Sequence, residues 1–81
     1  MYIAVGKTKS VYSKDIIGIF DLDITSQSHI TRKYLNISEK EGCVINEAED
    51  LPKTFIVCSE NNKKKIYLSQ ITSSTLTKRV E

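Results

Sequence analysis

Two apolar runs rich in β-branched residues, Ile16-Ile17-Gly18-Ile19-Phe20-Asp21 and Thr54-Phe55-Ile56-Val57-Cys58, set the limits on how this chain can fold. Such residues fit a pleated, packed surface, so at least one sheet must form around them. The first run is apolar at nearly every position, which predicts burial on both faces or at a subunit contact. Gly18 in its middle removes a side chain, as strand interiors do where something approaches closely. A chain of 81 residues has room for one domain, 1–81, and a thin core. Self-association is a natural supplement to such a core.

The other segments supply partners for these strands. Residues 2–5 and 10–13 read as short strands on either side of the polar turn Gly6-Lys7-Thr8-Lys9, and Lys14-Asp15 as a tight turn. A helix is expected from a cap at Ser26 or Ser28. Ile30, Tyr34, Leu35 and Ile37 form its apolar stripe, Arg32, Lys33 and Asn36 fall off the stripe, and Gly42 is suited to end it. Cys43-Val44-Ile45 is a short strand, 46–52 an acidic loop, and Asn61-Asn62-Lys63 a turn that pairs 65–69 back onto the second long strand. Ser73 or Ser74 then caps a last helix, with Leu76 and Val80 as its apolar contacts and Lys78-Arg79 near its C-terminus, where the dipole favours cations. The sum is an α+β fold: a small, mostly antiparallel β-sheet with one central helix and a short C-terminal helix.

Catalytic and cofactor chemistry finds little to use in this sequence. The single histidine, His29, has no nucleophile or orienting carboxylate indicated near it. Asp21 and Asp23 end a strand and read as turn residues. Glu47, Glu49 and Asp50 lack the spacing of a calcium loop, and the phosphate-binding glycine patterns are absent. Two distant cysteines, Cys43 and Cys58, read as reduced, buried thiols, and with one histidine they do not make a zinc site. We therefore expect no enzyme, no metal, no cofactor and no small-molecule ligand. No apolar run approaches the roughly 18–20 residues of a membrane span. The start carries no basic and apolar leader pattern, so a cytoplasmic location is expected.

Charge leaves the basic residues as candidates. The net charge of +2 is too weak to imply nucleic acid by itself. Lys63-Lys64-Lys65 reads as a solvated turn or as edge protection. Lys14 and Lys53 each stand immediately before a strong apolar strand, so both should project at a sheet end, where two such positions can meet on one phosphate-binding rim.

Three segments together carry a family resemblance: Met1-Tyr2-Ile3 with 13–21; Leu51-Pro52-Lys53-Thr54-Phe55-Ile56-Val57; and 68–79. In order, spacing and total length they resemble the RemA/RemB extracellular-matrix regulators of Gram-positive bacteria, and the RemB branch more closely. The resemblance implies a LytTR-like DNA-binding domain that assembles as a homo-oligomer, ring-like on the RemA side, and binds promoter DNA to regulate biofilm matrix genes. RemA-type proteins carry an arginine just before the second long strand, at the position where this chain has Asp15 with Lys14 beside it. Of their arginine-rich stretch before the next long strand, Lys53 remains, and Arg32 falls where that branch has a basic helix residue. The implied DNA contacts are Lys14, Arg32 and Lys53; the expected oligomer interface is Ile16, Ile17, Gly18, Ile19 and Phe20. The alternative is an oligomeric regulator that acts through a protein partner without touching DNA.

Overall fold

The structure, a computed structural model, describes residues 1–6, 8–22, 29–48 and 51–80, and of 29–32 the backbone alone. Its elements are β1 (Tyr2–Ala4), β2 (Ser10–Tyr12), a 3-10 turn (Ser13–Asp15), β3 (Ile16–Asp21), α1 (His29–Lys40), β4 (Val44–Asn46), β5 (Thr54–Glu60), β6 (Lys63–Ser69) and α2 (Ser73–Val80). The α+β reading holds. Four strands form one sheet in the order β3-β5-β6-β4, and β1 and β2 form a separate hairpin. The pairs β3/β5 and β5/β6 are antiparallel, while β4 runs parallel to β6.

The two central strands carry the core. Residues Thr54 to Cys58 are buried without a break, because a strand in the middle of a covered sheet has no face to give to water. Alternate residues then serve two separate clusters. Ile56, Cys58 and Tyr67 face Ile3, Val5 and Val11 of the hairpin and Leu76 of α2. Phe55, Val57 and Ile66 face Tyr34 and Leu35 of α1, with Val44, Leu68 and Leu22 around them. The sheet is thus sandwiched between the hairpin with α2 on one side and α1 on the other.

Local chemistry explains the joints. Asn61 and Asn62 both have positive φ, 52° and 66°, as a two-residue hairpin turn requires, and asparagine tolerates that region. Gly42, at φ 76°, ends α1. The Gly42 amide donates to the Glu39 carbonyl and the Cys43 amide to the Ser38 carbonyl, both at 3.0 Å, which is the Schellman pattern. The C-terminal helix is capped one residue earlier than its serines suggest: Thr72 Oγ1 accepts the Thr75 amide at 3.4 Å, so Ser73 and Ser74 lie inside α2. Arg79 near the end of α2 donates to the Ala4 carbonyl at 2.9 Å and ties the helix to the hairpin.

Two burial expectations change. β3 is an edge strand, and the run Ile16 to Phe20 is not buried on both faces within the subunit: Ile17 is 69% exposed and Phe20 41%. The register slips between Ile16 and Gly18, and Ile17 is the extra residue thrown outward. Gly18 does make room for a close approach, since a Cβ there would lie 2.7 Å from the ring of Phe20. That ring folds across Gly18 and stacks on Phe55 at 5.0 Å between centroids. In α1, Ile37 is 48% exposed and Ser38 is buried in its place. The buried line runs through Tyr34, Leu35 and Ser38, and Ile37 sits about 100° of helix away from it. The expected caps Ser26 and Ser28, with Asp23, Glu49 and Asp50, lie outside the described residues, as do the side chains of His29 and Ile30.

Candidate nucleic-acid interface

Lys14 is exposed in the 3-10 turn that leads into β3, and Lys53 is exposed immediately before β5. The backbone of Lys53 is held on both sides: its amide donates to the Ser69 carbonyl at 2.8 Å, and its carbonyl accepts the Leu22 amide at 2.9 Å. Its side chain therefore projects from a fixed point. The antiparallel register, however, pairs Ile16 with Cys58 and Asp21 with Thr54. The start of β3 thus lies beside the end of β5. Lys14 and Lys53 stand at opposite ends of the sheet, about 20 Å apart for six residues at about 3.4 Å each. The two lysines do not meet on one rim of a single subunit.

Arg32 belongs to the first turns of α1. Its side chain is outside the described residues. Leu35, one turn further on, lines a groove with Leu22, Pro52 and Leu68. The backbone of Arg32 therefore lies towards the Lys53 end of the sheet.

Sequence reading set aside the strand-start lysines that accompany Lys14. The C-terminus of α1 and the start of β6 meet at that same end. Lys64 Nζ donates to the buried Ser38 Oγ at 3.1 Å, lies 3.7 Å from Glu41 Oε1 and sits over the Tyr34 ring, 4.9 Å from its centroid. A lysine with two partners on α1 and a third in the turn after it does more than solvate a turn. The run of three lysines was visible in the sequence; what it faces depended on the β4–β6 pairing.

The expected oligomer interface is an open edge. Ile16 and Ile19 are half-buried against the hairpin-side cluster, while Ile17 and Phe20 are exposed. Tyr67, fully buried, donates to Glu60 Oε2 at 2.5 Å. Burial, then the hydrogen bond to Glu60, raises the Tyr67 hydroxyl above the usual tyrosine range. Burial, helped by the charges of Glu60 and Asp15, pushes the Cys58 thiol up to about 12. Both cysteines are free. Cys58 is buried as expected, but Cys43 is only half-buried, because it precedes β4 at the open side of the sheet. Among the described residues no group of three or more His, Cys, Asp or Glu is placed to hold a metal ion. No helix among them is long and apolar enough to cross a membrane.

These features describe a small α+β domain with Ile17 and Phe20 exposed on an edge strand and cations at both ends of its sheet. Over all 81 of its residues the chain is 35% identical to extracellular matrix regulatory protein B of Bacillus subtilis (strain 168), spanning 91% of that protein. No protein-family model matches the chain. The full-length similarity places it in the extracellular matrix regulatory protein family, on the RemB side that the three segments indicated.

Proposed function

We infer that the chain is a regulator of extracellular matrix genes that binds promoter DNA as a homo-oligomer. The observation that carries this reading is its full-length similarity to a protein named for matrix regulation. Two physical features support the oligomer. The edge strand β3 leaves Ile17 and Phe20 in water, and an exposed apolar edge is a template for pairing with another chain. The net charge of +2, with Lys14 and Lys53 at opposite sheet ends, gives one subunit little hold on a polyanion. An assembly repeats each weak cation and gains avidity without any new contact.

The contacts in this reading are phosphate contacts from Lys53 and Arg32 at one end or from Lys14 at the other. Fluorescence anisotropy with matrix-operon promoter duplexes at two salt concentrations tests it. The log–log salt slope should be about −0.9 per phosphate neutralised. If the Lys53 end carries the contacts, Lys53→Glu should lower affinity severely while leaving fold and assembly intact. Wild-type protein with no salt-sensitive DNA binding would leave the second reading, regulation through a protein partner. Asp15, standing where RemA-type proteins have an arginine, favours that reading.

A further inference from the structure

The end of the sheet that carries Lys14 also holds a cleft of about 390 Å³, lined by Glu41, Gly42, Cys43, Ile45, Lys63, Lys64 and Lys65. That volume falls within the range of about 300–1,000 Å³ typical of small-ligand sites. Successive residues of a strand point to opposite faces. Lys63 and Lys65 therefore share the face of Tyr67 and Cys58, and Lys64 turns towards α1. All three still border one cleft because the turn 41–43 after α1 lies against the start of β6, where the Ile66 amide donates to the Cys43 carbonyl at 2.8 Å.

The charges in this cleft are unevenly matched. Glu41 is the one carboxylate in its lining, and it lies 3.7 Å from Lys64. Lys64 is further held by Ser38 and the Tyr34 ring, so its ammonium is fixed in place before any ligand arrives. Glu60, which pairs with Lys63 across the hairpin, takes the Tyr67 hydroxyl instead. Among the described residues the side chains of Lys63 and Lys65 make no hydrogen bond or ion pair, and Lys65 is half-buried beside Cys58, its partner in the ladder. The carbonyls at the end of α1 would ordinarily repel an anion. Here those of Ile37, Ser38 and Glu39 already accept the amides of Glu41, Cys43 and Gly42. Ile45 gives the cleft an apolar wall.

We propose that this cleft binds a small phosphorylated molecule, its phosphate held by Lys63 and Lys65 beside the fixed Lys64 and its apolar part against Ile45. Compact, multiply charged anions suit point-charge lysine donors. The cleft lies beside the turn 41–43 that follows α1, and its volume suits a free small molecule. Use of the site as a regulatory input rests on the function inferred above. Binding itself does not, so the two are tested apart.

The experiment is calorimetric titration of the full chain with inorganic pyrophosphate, with adenosine monophosphate and a promoter duplex as separate arms. Pyrophosphate should bind, and Lys63→Gln/Lys65→Gln should weaken it by roughly 10-fold or more, the size of a lost charged hydrogen bond. Lys53→Gln, at the other end of the sheet, should leave it unchanged. A second measurement needs no variant. Pyrophosphate should slow the reaction of Cys43 with a negatively charged thiol reagent, because Cys43 lines the same cleft. Absence of both heat and thiol protection overturns the proposal, as does equal binding by the double variant. So does a double variant that loses duplex binding while pyrophosphate never binds the parent, which would assign Lys63 and Lys65 to DNA.

Discussion

Replacing Ile17 by Lys tests whether β3 is a subunit contact, because neighbouring residues of that strand should respond in opposite ways. Ile17 is 69% exposed in the subunit, so the fold of one chain takes little from it. Full burial of an isoleucine side chain stabilises by about 1.5–3 kcal/mol. With most of that surface still to be covered, an interface gains roughly 1–2 kcal/mol from Ile17, or about 5- to 30-fold in association per contact. Lysine forfeits this and adds the cost of desolvating an ammonium. In a closed ring every subunit carries the lesion. Light scattering after size exclusion at micromolar concentration should show wild type well above the 9.2 kDa chain and Ile17→Lys shifted towards it, with the far-ultraviolet spectrum unchanged. Ile19, paired with Ile56 and packed on the hairpin-side cluster, is the contrast. Ile19→Lys should unfold the subunit. The reasoning is refuted if Ile17→Lys keeps the parental mass, if it unfolds like Ile19→Lys, or if wild type itself runs only as a 9.2 kDa species.

Two further outcomes follow from buried groups and close contacts. Cys58 has its thiol raised from 9.0 to about 12 by burial, so the folded state favours the protonated form. That contribution is intact below pH 9.0 and lost as pH rises towards 12, at about 1.4 kcal/mol per pH unit. Urea midpoints should fall accordingly above pH 9, and Cys58→Ala should flatten the fall between pH 9 and 10, before Tyr67 adds its own loss in the same direction. Gly6→Ala should destabilise by roughly 1–3 kcal/mol, because the new Cβ would lie 2.5 Å from Glu47 Cβ and 3.0 Å from its carbonyl oxygen. Glu47 is itself pinned through its amide to the Leu68 carbonyl, so thermal denaturation should drop by about 4–8 °C per kcal/mol.

Strand identity was legible because β-branched density is a local property. Ile16–Asp21 and the Asn61-Asn62 turn fall where periodicity and turn chemistry put them. Which strand is central was not legible. Both long runs look alike in sequence, yet β5 is covered on both faces and β3 stands at an edge, a difference set by the sheet order. The α1 stripe failed at one residue for a similar reason: Ser38 is tolerated in the buried line because Lys64, from a distant strand, supplies its hydrogen bond. The cation positions suffered most. That Lys14 and Lys53 each end a strand is local information, whereas the end of the sheet each occupies depends on the β3/β5 direction. Arg32 could be assigned to the helix, and its side chain lies outside the described residues.

The separation of Lys14 from Lys53 also sharpens what a DNA experiment can reveal. Among the described residues β3 and β4 are the two outer strands of the sheet, and they differ in sequence and length. Joining unlike edges is a heterologous contact, which propagates into a ring or a filament, whereas β3 against β3 closes as a dimer. In an edge-to-edge ring, strand ends from all subunits fall on two rims. Lys53 repeats on one, and Lys14 with Lys63, Lys64 and Lys65 on the other. A duplex lying along one rim cannot also follow the second, about 20 Å away at about 3.4 Å per residue of strand. Lys53→Glu and Lys14→Glu should therefore differ: one should abolish promoter binding and remove its salt dependence, and the other should weaken it only through the change in net charge. Equal collapse of binding in both variants, with assembly retained, would mean that the sheets do not join edge to edge and that another packing brings the two lysines onto one surface.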